Sequence, residues 1–206
     1  WLHEAGQAGE LPPLDPEVAA PLMEHLIAKG VKLHLGDGLA RIDEGADGRL
    51  IVVSKSGASF PADLVILAIG VRPENDLARA TGLEIGSRGG IVVDSQMRTS
   101  DPEIWAVGDV VEVPDVITGQ DTVLPLAGPA NRQGRVAAES IAGRATQFRG
   151  IQATAVVGVR GLTVASSGAT GKGMARAGCD EFGTVFPPPG HPGRQQPERP
   201  PYAPRA

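Results

Sequence analysis

Residues 99–109 read TSDPEIWAVGD, and EIWAVGD (103–109) predicts a compact β-strand that ends at Gly108-Asp109. A glycine at a strand end lets a ligand approach the backbone closely. The Asp109 carboxylate offers only hydrogen-bond acceptors, which suits the hydroxyl groups of a sugar or polyol. Ligands of open α/β sheets bind beyond the carboxyl ends of the strands. The same spacing is also compatible with an ordinary surface turn that begins at Gly-Asp.

Downstream of this strand, LAGPANRQGR (126–135) predicts the start of a helix that occupies residues 129–143. The free N–H groups and the dipole of a helix start stabilise an anion or a polarised carbonyl. Asn131 can donate and accept hydrogen bonds, and Arg132 and Arg135 supply positive charge. An ordinary helix with solvated arginines fits the composition equally well.

Upstream, DLVILAIG (63–70) is nearly all apolar and ends at Gly70, as expected of a central strand covered on both faces. The rest of the body alternates between helical and extended patterns. These patterns predict a helix from Asp15 to Gly30, a strand at 31–35, a hairpin of 39–44 with 50–55, a short helix at 76–80 and a strand at 89–94. The alternation predicts an α/β fold.

The charge and hydropathy of the chain exclude several classes of protein. Nineteen Lys and Arg residues face 24 Asp and Glu residues, so the net charge is −5. A chain that binds nucleic acid or an anionic membrane would carry a cationic surface instead. No apolar run approaches the roughly 20 residues of a membrane span, and the first residues do not form a signal peptide. We therefore expect a soluble, cytoplasmic protein.

The numbers and positions of the cysteine and proline residues exclude further kinds of site and predict a disordered segment. The single cysteine, Cys179, excludes a disulfide framework, a Cys-rich metal site and a two-cysteine redox centre within one chain. Eight of the 18 prolines lie in residues 187–206, which predicts a disordered tail. The chain begins with Trp1 inside a Gly- and Glu-containing stretch, and we expect it to be a fragment of a longer protein.

Three motifs stand in a fixed order: ADLVILAIGVRPE (62–74), TSDPEIWAVGD (99–109) and LAGPANRQGR (126–135). In this order and at these intervals they resemble the FAD-dependent pyridine nucleotide-disulfide oxidoreductases. The resemblance covers residues from about 12 to 170 and is closest to the branch of coenzyme A-disulfide reductases and NADH oxidases. The third motif favours the coenzyme A-disulfide reductases over the ferredoxin reductases.

The resemblance implies an α/β fold that is the C-terminal part of a flavoprotein with two dinucleotide-binding, Rossmann-like domains, followed by the start of an α+β dimerisation domain. Residues 1–60 would be the C-terminal half of the NAD(P)H-binding domain, and residues 61–145 the C-terminal half of the FAD-binding domain. Residues 146–186 would begin the interface domain in a degraded form, ahead of the Pro-rich tail at 187–206.

The resemblance also implies a role for individual residues. Asp109 would bind the ribityl hydroxyls of FAD, and the strand and turn from Thr99 to Gly108 would deliver it. The helix start would lie at the pyrimidine edge of the flavin, where its dipole stabilises negative charge on the reduced ring. The implied cofactor-binding residues are Gly70, Thr99, Ala106, Gly108, Asp109, Ala127 and Gly128, and the implied substrate-binding residues are Asn131 and Arg132.

Two features of such enzymes are missing from the sequence. No GxGxxG loop follows a strand, so no complete dinucleotide phosphate site is present. The redox cysteine of these enzymes lies near the N-terminus, and Cys179 does not match it. We therefore predict no catalytic residue and no metal site in this chain.

The leading hypothesis is a parent flavoenzyme that passes a hydride from NAD(P)H through FAD to a disulfide, such as coenzyme A disulfide or that of a similar small thiol. The resemblance also implies a homodimeric parent. Two alternatives stay open: an NADH oxidase or peroxidase of the same family, and a non-catalytic truncated remnant.

Overall fold

Strands and helices alternate along the chain in the computed structural model, which describes residues 2–4 and 14–178. This arrangement confirms the predicted α/β class. The elements in chain order are β1 (Leu2–Glu4), α1 (Pro16–Ala28), β2 (Leu33–Leu35), β3 (Leu39–Glu44), β4 (Leu50–Ser54), β5 (Ser59–Ala62), α2 (Asp76–Ala80), β6 (Ile91–Val92), β7 (Val111–Pro114), β8 (Asp121–Thr122), α3 (Ala127–Ile141), β9 (Thr154–Val159), β10 (Leu162–Ser167) and α4 (Gly171–Arg176).

Helix α1 begins as the sequence predicts, with Asp15 at the N-cap and a proline at the first helical position. Its buried face consists of Ala19, Leu22 and Leu26, which recur at helical spacing. Gly30 follows the helix with a φ of +83°, a left-handed conformation that glycine adopts without strain. The chain then enters β2, which pairs in parallel with β1.

The predicted hairpin is confirmed by β3 and β4, which pair antiparallel, and β5 adds a third antiparallel strand. Val52, Val53 and Phe60 are the buried apolar side chains of this sheet. Strand β5 crosses the domain boundary that the sequence predicts between residues 60 and 61, so this sheet continues two residues beyond it.

A second region builds the core beneath the candidate site. Strands β6 and β7 pair in parallel, β7 and β8 pair antiparallel, and α3 packs on this sheet through the apolar core. The buried residues of this core are Met97, Val111, Val113, Ala137, Phe148 and Ile151. Helix α3 confirms the predicted helix, although it begins at Ala127 rather than at Pro129, and Gly143 follows it with a φ of +74°.

The predicted strand EIWAVGD (103–109) is not formed. Its start is held in a local turn, in which the Thr99 hydroxyl donates to the carbonyls of Asp101 and Ile104 at 3.1 and 3.0 Å. These local hydrogen bonds replace the ladder bonds of a strand. The strand in this region is β7, which begins after Asp109, so Gly108-Asp109 precedes a strand instead of ending one.

The apolar segment 63–71 is also not a strand, contrary to the sequence-based prediction. Among the described residues no strand pairs with it, so its backbone lacks a ladder partner and its side chains lack a covering layer. The exposed fractions of Leu64, Ile66 and Ile69 are 76%, 81% and 82%. An apolar run predicts a buried strand. Such a strand forms only where adjacent strands pair with it and other elements cover its two faces.

Smaller predictions are met in part. Helix α2 is confirmed, whereas the strand predicted at 89–94 shortens to the two residues of β6.

None of the helices in residues 2–4 and 14–178 is long and apolar enough to cross a lipid bilayer. Cys179 and the tail 187–206 lie outside the described residues.

Candidate functional site

The two segments that the sequence selects as ligand-binding are joined by one hydrogen bond. The backbone N–H of Gly108 donates to Oε1 of Gln133 at 2.8 Å. Gln133 lies in α3 and its exposed fraction is 2%. The bond therefore fixes the Gly108-Asp109 turn against the first half of the helix, although the two residues are 25 positions apart in sequence.

The Gly108-Asp109 turn is open on its outer side. Gly108 has a φ of +89°, and a Cβ placed on it would meet no atom within 4 Å. Asp109 is exposed, and its carboxylate accepts no hydrogen bond from residues 2–4 or 14–178. All of its acceptor capacity is thus available to a ligand. The glycine allows that ligand to reach the backbone.

The start of α3 offers donors instead of acceptors. Its N-cap is Leu126, which supplies no side-chain hydrogen bond to the helix. The first N–H groups of a helix have no intrahelical acceptor, so those of Ala127 and Gly128 are available. Both residues are exposed, and a Cβ on Gly128 would meet nothing within 4 Å. This helix end can stabilise a partial or full negative charge.

Thr99 and Ala106 lie in the loop that leads to the Gly108-Asp109 turn. Both are half-buried, and the Ala106 N–H donates to the Met97 carbonyl at 3.1 Å. Between them, the indole Nε1 of Trp105 donates to Ser140 Oγ of α3 at 3.2 Å. These contacts fix the loop to the helix at a second point. Thr99 and Ala106 therefore belong to a loop that Trp105 attaches to α3.

Gly70 is placed apart from these contacts. It lies in the exposed segment 63–71 with a φ of +89°, and no described hydrogen bond connects it to Asp109 or to α3. A hydrogen bond thus connects Gly108 to α3, the helix that begins at Ala127 and Gly128, and no described hydrogen bond connects Gly70 to either segment.

Asn131 and Arg132 lie one turn further along α3 and line a cleft of about 380 Å³. The Asn131 amide Nδ2 donates to the Ala127 carbonyl at 2.8 Å, so this side chain is already held along the helix. Its oxygen remains an acceptor that faces no described donor.

The sequence analysis missed Gln133. A signal was present, because Gln133 falls on the same helical stripe as the buried residues Pro129, Ala137 and Ser140. A polar side chain on a buried stripe requires a hydrogen-bond partner. The identity of that partner has no local signature in the sequence.

The chain matches the family model described as pyridine nucleotide-disulphide oxidoreductase over residues 3–134. This match covers more than half of the chain, and it includes both the Gly108-Asp109 turn and the first half of α3. The chain belongs to this family.

Individual relatives agree with the family. The chain is 38% identical to an NAD(P)H sulfur oxidoreductase (CoA-dependent) of Pyrococcus abyssi over 166 residues, which are 81% of this chain and 36% of that protein. It is 39% identical to an NADH oxidase of Methanocaldococcus jannaschii over 157 residues, 76% of this chain and 34% of that protein. The chain therefore spans about a third of the length of these curated relatives.

Among solved structures, reduced CoADR-RHD from Bacillus anthracis superposes with a TM-score of 0.79 at 41% identity, over 85% of this chain and 31% of that one. An NAD-dependent persulfide reductase from A. fulgidus gives a TM-score of 0.78 at 38% identity, over 82% of this chain and 31% of that one. The described architecture is thus similar to about a third of each of these longer chains.

Proposed function

We propose that this chain forms part of an FAD-dependent NAD(P)H oxidoreductase that passes a hydride from NAD(P)H through FAD to a disulfide. The observation that carries the proposal is the hydrogen bond between Gly108 and Gln133, which fixes the acceptor-bearing Gly108-Asp109 turn to α3, the helix whose first N–H groups are free donors. A flavin nucleotide requires both: acceptors for its polyol chain and donors for its electron-rich ring.

The residues present fit this cofactor. Asp109 has an uncommitted carboxylate for the ribityl hydroxyls, and Gly108 leaves the space beside it open. Ala127 and Gly128 would direct N–H groups toward the pyrimidine edge of the ring. Thr99 and Ala106 would hold the turn, and Gly70 would contribute once the segment 63–71 is covered. When bound, FAD supplies the hydride acceptor and donor.

The chain's own residues contribute binding and electrostatics. The Asp109 carboxylate orients the polyol chain, and Gln133 keeps the backbone of the adjacent Gly108 at a fixed place relative to α3. The helix dipole favours negative charge near Gly128, which raises the affinity for the reduced cofactor relative to the oxidised one. Asn131 and Arg132 would contact the thiol substrate on the next helical turn.

The substrate is proposed from the relatives. Two of them are named for coenzyme A, persulfide or sulfur chemistry, and this favours coenzyme A disulfide or the disulfide of a similar small thiol. The electron donor would be NADH or NADPH, bound with the help of residues 1–60. We further propose a cytoplasmic, homodimeric enzyme with the interface domain beginning near residue 146.

A second candidate is an NADH oxidase of the same family. The specific observation in its favour is the 39% identity to the M. jannaschii protein, which is at least as high as the identity to the sulfur oxidoreductase. Both candidates require the same flavin contacts from this chain. They differ in what accepts the electrons from the flavin.

Titration of the purified chain with FAD tests the shared part of the proposal. We expect saturable quenching of flavin fluorescence, and we expect Asp109→Ala to weaken binding by about tenfold or more because hydrogen bonds to a charged group contribute about 1.5–3 kcal/mol. The matched control is Glu103→Gln, which removes a charge from an exposed carboxylate on the same loop. Flavin binding that is absent, or that is equal in the two variants, contradicts the proposal.

A further inference from the structure

Glu112 is a buried carboxylate that lies in β7, close in sequence to Asp109. Its exposed fraction is 5%, and its neighbours Val111 and Val113 are 1% and 2% exposed. Among the buried polar side chains of the described residues, it is the one that can carry a charge. Neither of the two ion pairs found in residues 2–4 and 14–178 includes it. A carboxylate in such a place requires hydrogen-bond donors.

The loop 84–90 supplies these donors. The backbone N–H groups of Arg88 and Gly90 donate to Oε2 of Glu112 at 2.9 and 3.3 Å. The hydroxyl of Ser87 donates to Oε1 at 3.3 Å. Both carboxylate oxygens are therefore bonded, and all of these donors belong to one loop. Because hydrogen bonds to a charged group are stronger than those between neutral groups, Glu112 is a strong anchor of the loop on β7.

Two glycines make room for this carboxylate. A Cβ on Gly86 would overlap the carboxyl group of Glu112, and a Cβ on Gly90 would lie 2.7 Å from the Glu112 backbone nitrogen. Neither position has space for a side chain next to the strand. The loop sequence IGSRGG (85–90) is therefore matched to a glutamate at position 112.

The anchored loop leads directly to the backbone next to Asp109. Ile91 follows the loop, and its N–H donates to the Val110 carbonyl at 2.8 Å. On the other side of Asp109, the Gly108 N–H donates to Gln133. The backbone of Asp109 is thus fixed on both sides, by α3 before it and by the anchored loop after it.

The loop 84–90 is also joined to two other parts of the chain. The Glu84 N–H donates to Ser100 Oγ at 3.0 Å, near the start of the motif 99–109, and Asn75 Nδ2 donates to the Gly89 carbonyl at 2.6 Å. These bonds join neutral groups. Of the described hydrogen bonds of this loop, those with Glu112 alone use a side chain that can carry a charge.

We propose that Glu112 is a positioning residue for the flavin site: its carboxylate holds the loop 84–90, and the loop holds the backbone that presents Asp109 to the flavin. The inference rests on the proposed function, in which Asp109 binds the ribityl hydroxyls. Glu112 acts through Asp109 and touches no cofactor, because its own carboxylate is buried and bonded to the loop. An Asp109 that is in place before flavin arrives lowers the ordering cost of binding, so the effect is on the flavin affinity of the folded chain.

Titration of the full chain with FAD, with Glu112→Ala beside wild type, tests the inference. We expect the variant to bind flavin at least about tenfold more weakly, because the loop loses its charged acceptor. The Val111 amide, which donates to the Gly108 carbonyl across Asp109, should exchange with solvent at least about tenfold faster. The matched control is Glu84→Ala, which removes an exposed carboxylate from the same loop and should change both quantities by less than about twofold. Circular dichroism verifies that each variant keeps its helices.

Formate separates the role of the carboxylate from that of side-chain volume. Glu112→Ala leaves a space beside the loop donors, and formate carries the same carboxylate in a molecule small enough to enter it. We expect sodium formate to restore both the flavin affinity and the slow exchange of Val111, whereas sodium chloride at equal ionic strength restores neither. Glu112→Gln keeps the volume but turns one acceptor into a donor, so it should lie between wild type and Glu112→Ala. The same variant carries the test if Glu112→Ala does not fold.

Three results overturn the inference. They are wild-type flavin affinity in Glu112→Ala, an equal loss in Glu84→Ala, and a loss that formate does not reverse together with wild-type behaviour of Glu112→Gln. The last result would assign the effect to volume instead of the carboxylate.

Amide exchange needs no flavin, so it distinguishes this inference from the proposed function. If wild type binds no flavin, while Glu112→Ala accelerates the exchange of Val111 and formate slows it again, the proposed function is rejected and the anchoring of the turn by Glu112 stands. If every variant binds flavin as wild type does and Val111 keeps its exchange rate, this inference alone is rejected.

Discussion

At the scale of single residues, Gln133 connects the Gly108-Asp109 turn to α3, and its replacement should weaken that connection. Gln133→Met keeps the side-chain length but removes the acceptor of the Gly108 N–H. A partly buried N–H without a partner costs about 1–3 kcal/mol, so we expect the free energy of unfolding to fall by about that amount. Urea denaturation measures the change, and hydrogen exchange of the Gly108 amide should accelerate.

The control is Gln120→Met, at an exposed glutamine whose side chain makes no described hydrogen bond. We expect a change within about 0.5 kcal/mol there. Equal stability of wild type and Gln133→Met would show that the hydrogen bond contributes nothing. The sequence selected Gly108-Asp109 as the end of a strand, and the structure places the pair before β7 instead, so their role as ligand-binding residues stays a prediction. The helical stripe of Pro129, Gln133, Ala137 and Ser140 marked Gln133 as buried, but the sequence could not identify its partner, because the pairing of residues 25 positions apart leaves no periodic pattern.

At the scale of elements, the apolar segment 63–71 should cause self-association of isolated chains. Ile66 and Ile69 are about four-fifths exposed, and an extended apolar segment with unpaired backbone groups is a template for pairing with another chain. We expect the double variant Ile66→Lys/Ile69→Lys to reduce the self-associated fraction several-fold in sedimentation velocity. Its free energy of unfolding should stay within about 0.5 kcal/mol of wild type, because neither side chain is buried.

The matched control replaces two other exposed isoleucines, Ile27 on α1 and Ile141 on α3, which are 59% and 62% exposed. If Ile27→Lys/Ile141→Lys suppresses association equally, added charge alone is responsible and the segment 63–71 is not the contact.

The sequence predicts helices better than strands here for a physical reason. Helix α1 satisfies its own backbone, whereas a strand at 63–70 depends on neighbours that the apolar pattern does not specify.

At the scale of the whole molecule, the first described helix is tied to the last one by Asp15. The alternation of helical and extended patterns in the sequence was enough to predict the α/β class. Asp15 was predicted as an N-cap because a capping residue directly precedes its helix in the sequence. The structure shows that the carboxylate does not cap its own helix. It accepts instead from the backbone N–H of Gly171 at 2.7 Å and of Lys172 at 3.4 Å, at the start of α4.

Asp15→Ala should therefore release α4 without unwinding α1. The charged acceptor lies at the positive end of α4, where hydrogen bonds to a charged group contribute about 1.5–3 kcal/mol, so we expect the Gly171 amide to exchange about tenfold faster or more. Amides within α1 should keep their wild-type rates, because the lost carboxylate bonds none of them. Glu17→Gln, on the exposed first turn of α1, is the control for charge and should leave Gly171 unchanged. Faster exchange throughout α1 in Asp15→Ala would mean that the carboxylate stabilises its own helix, and the link across 156 residues would then be secondary.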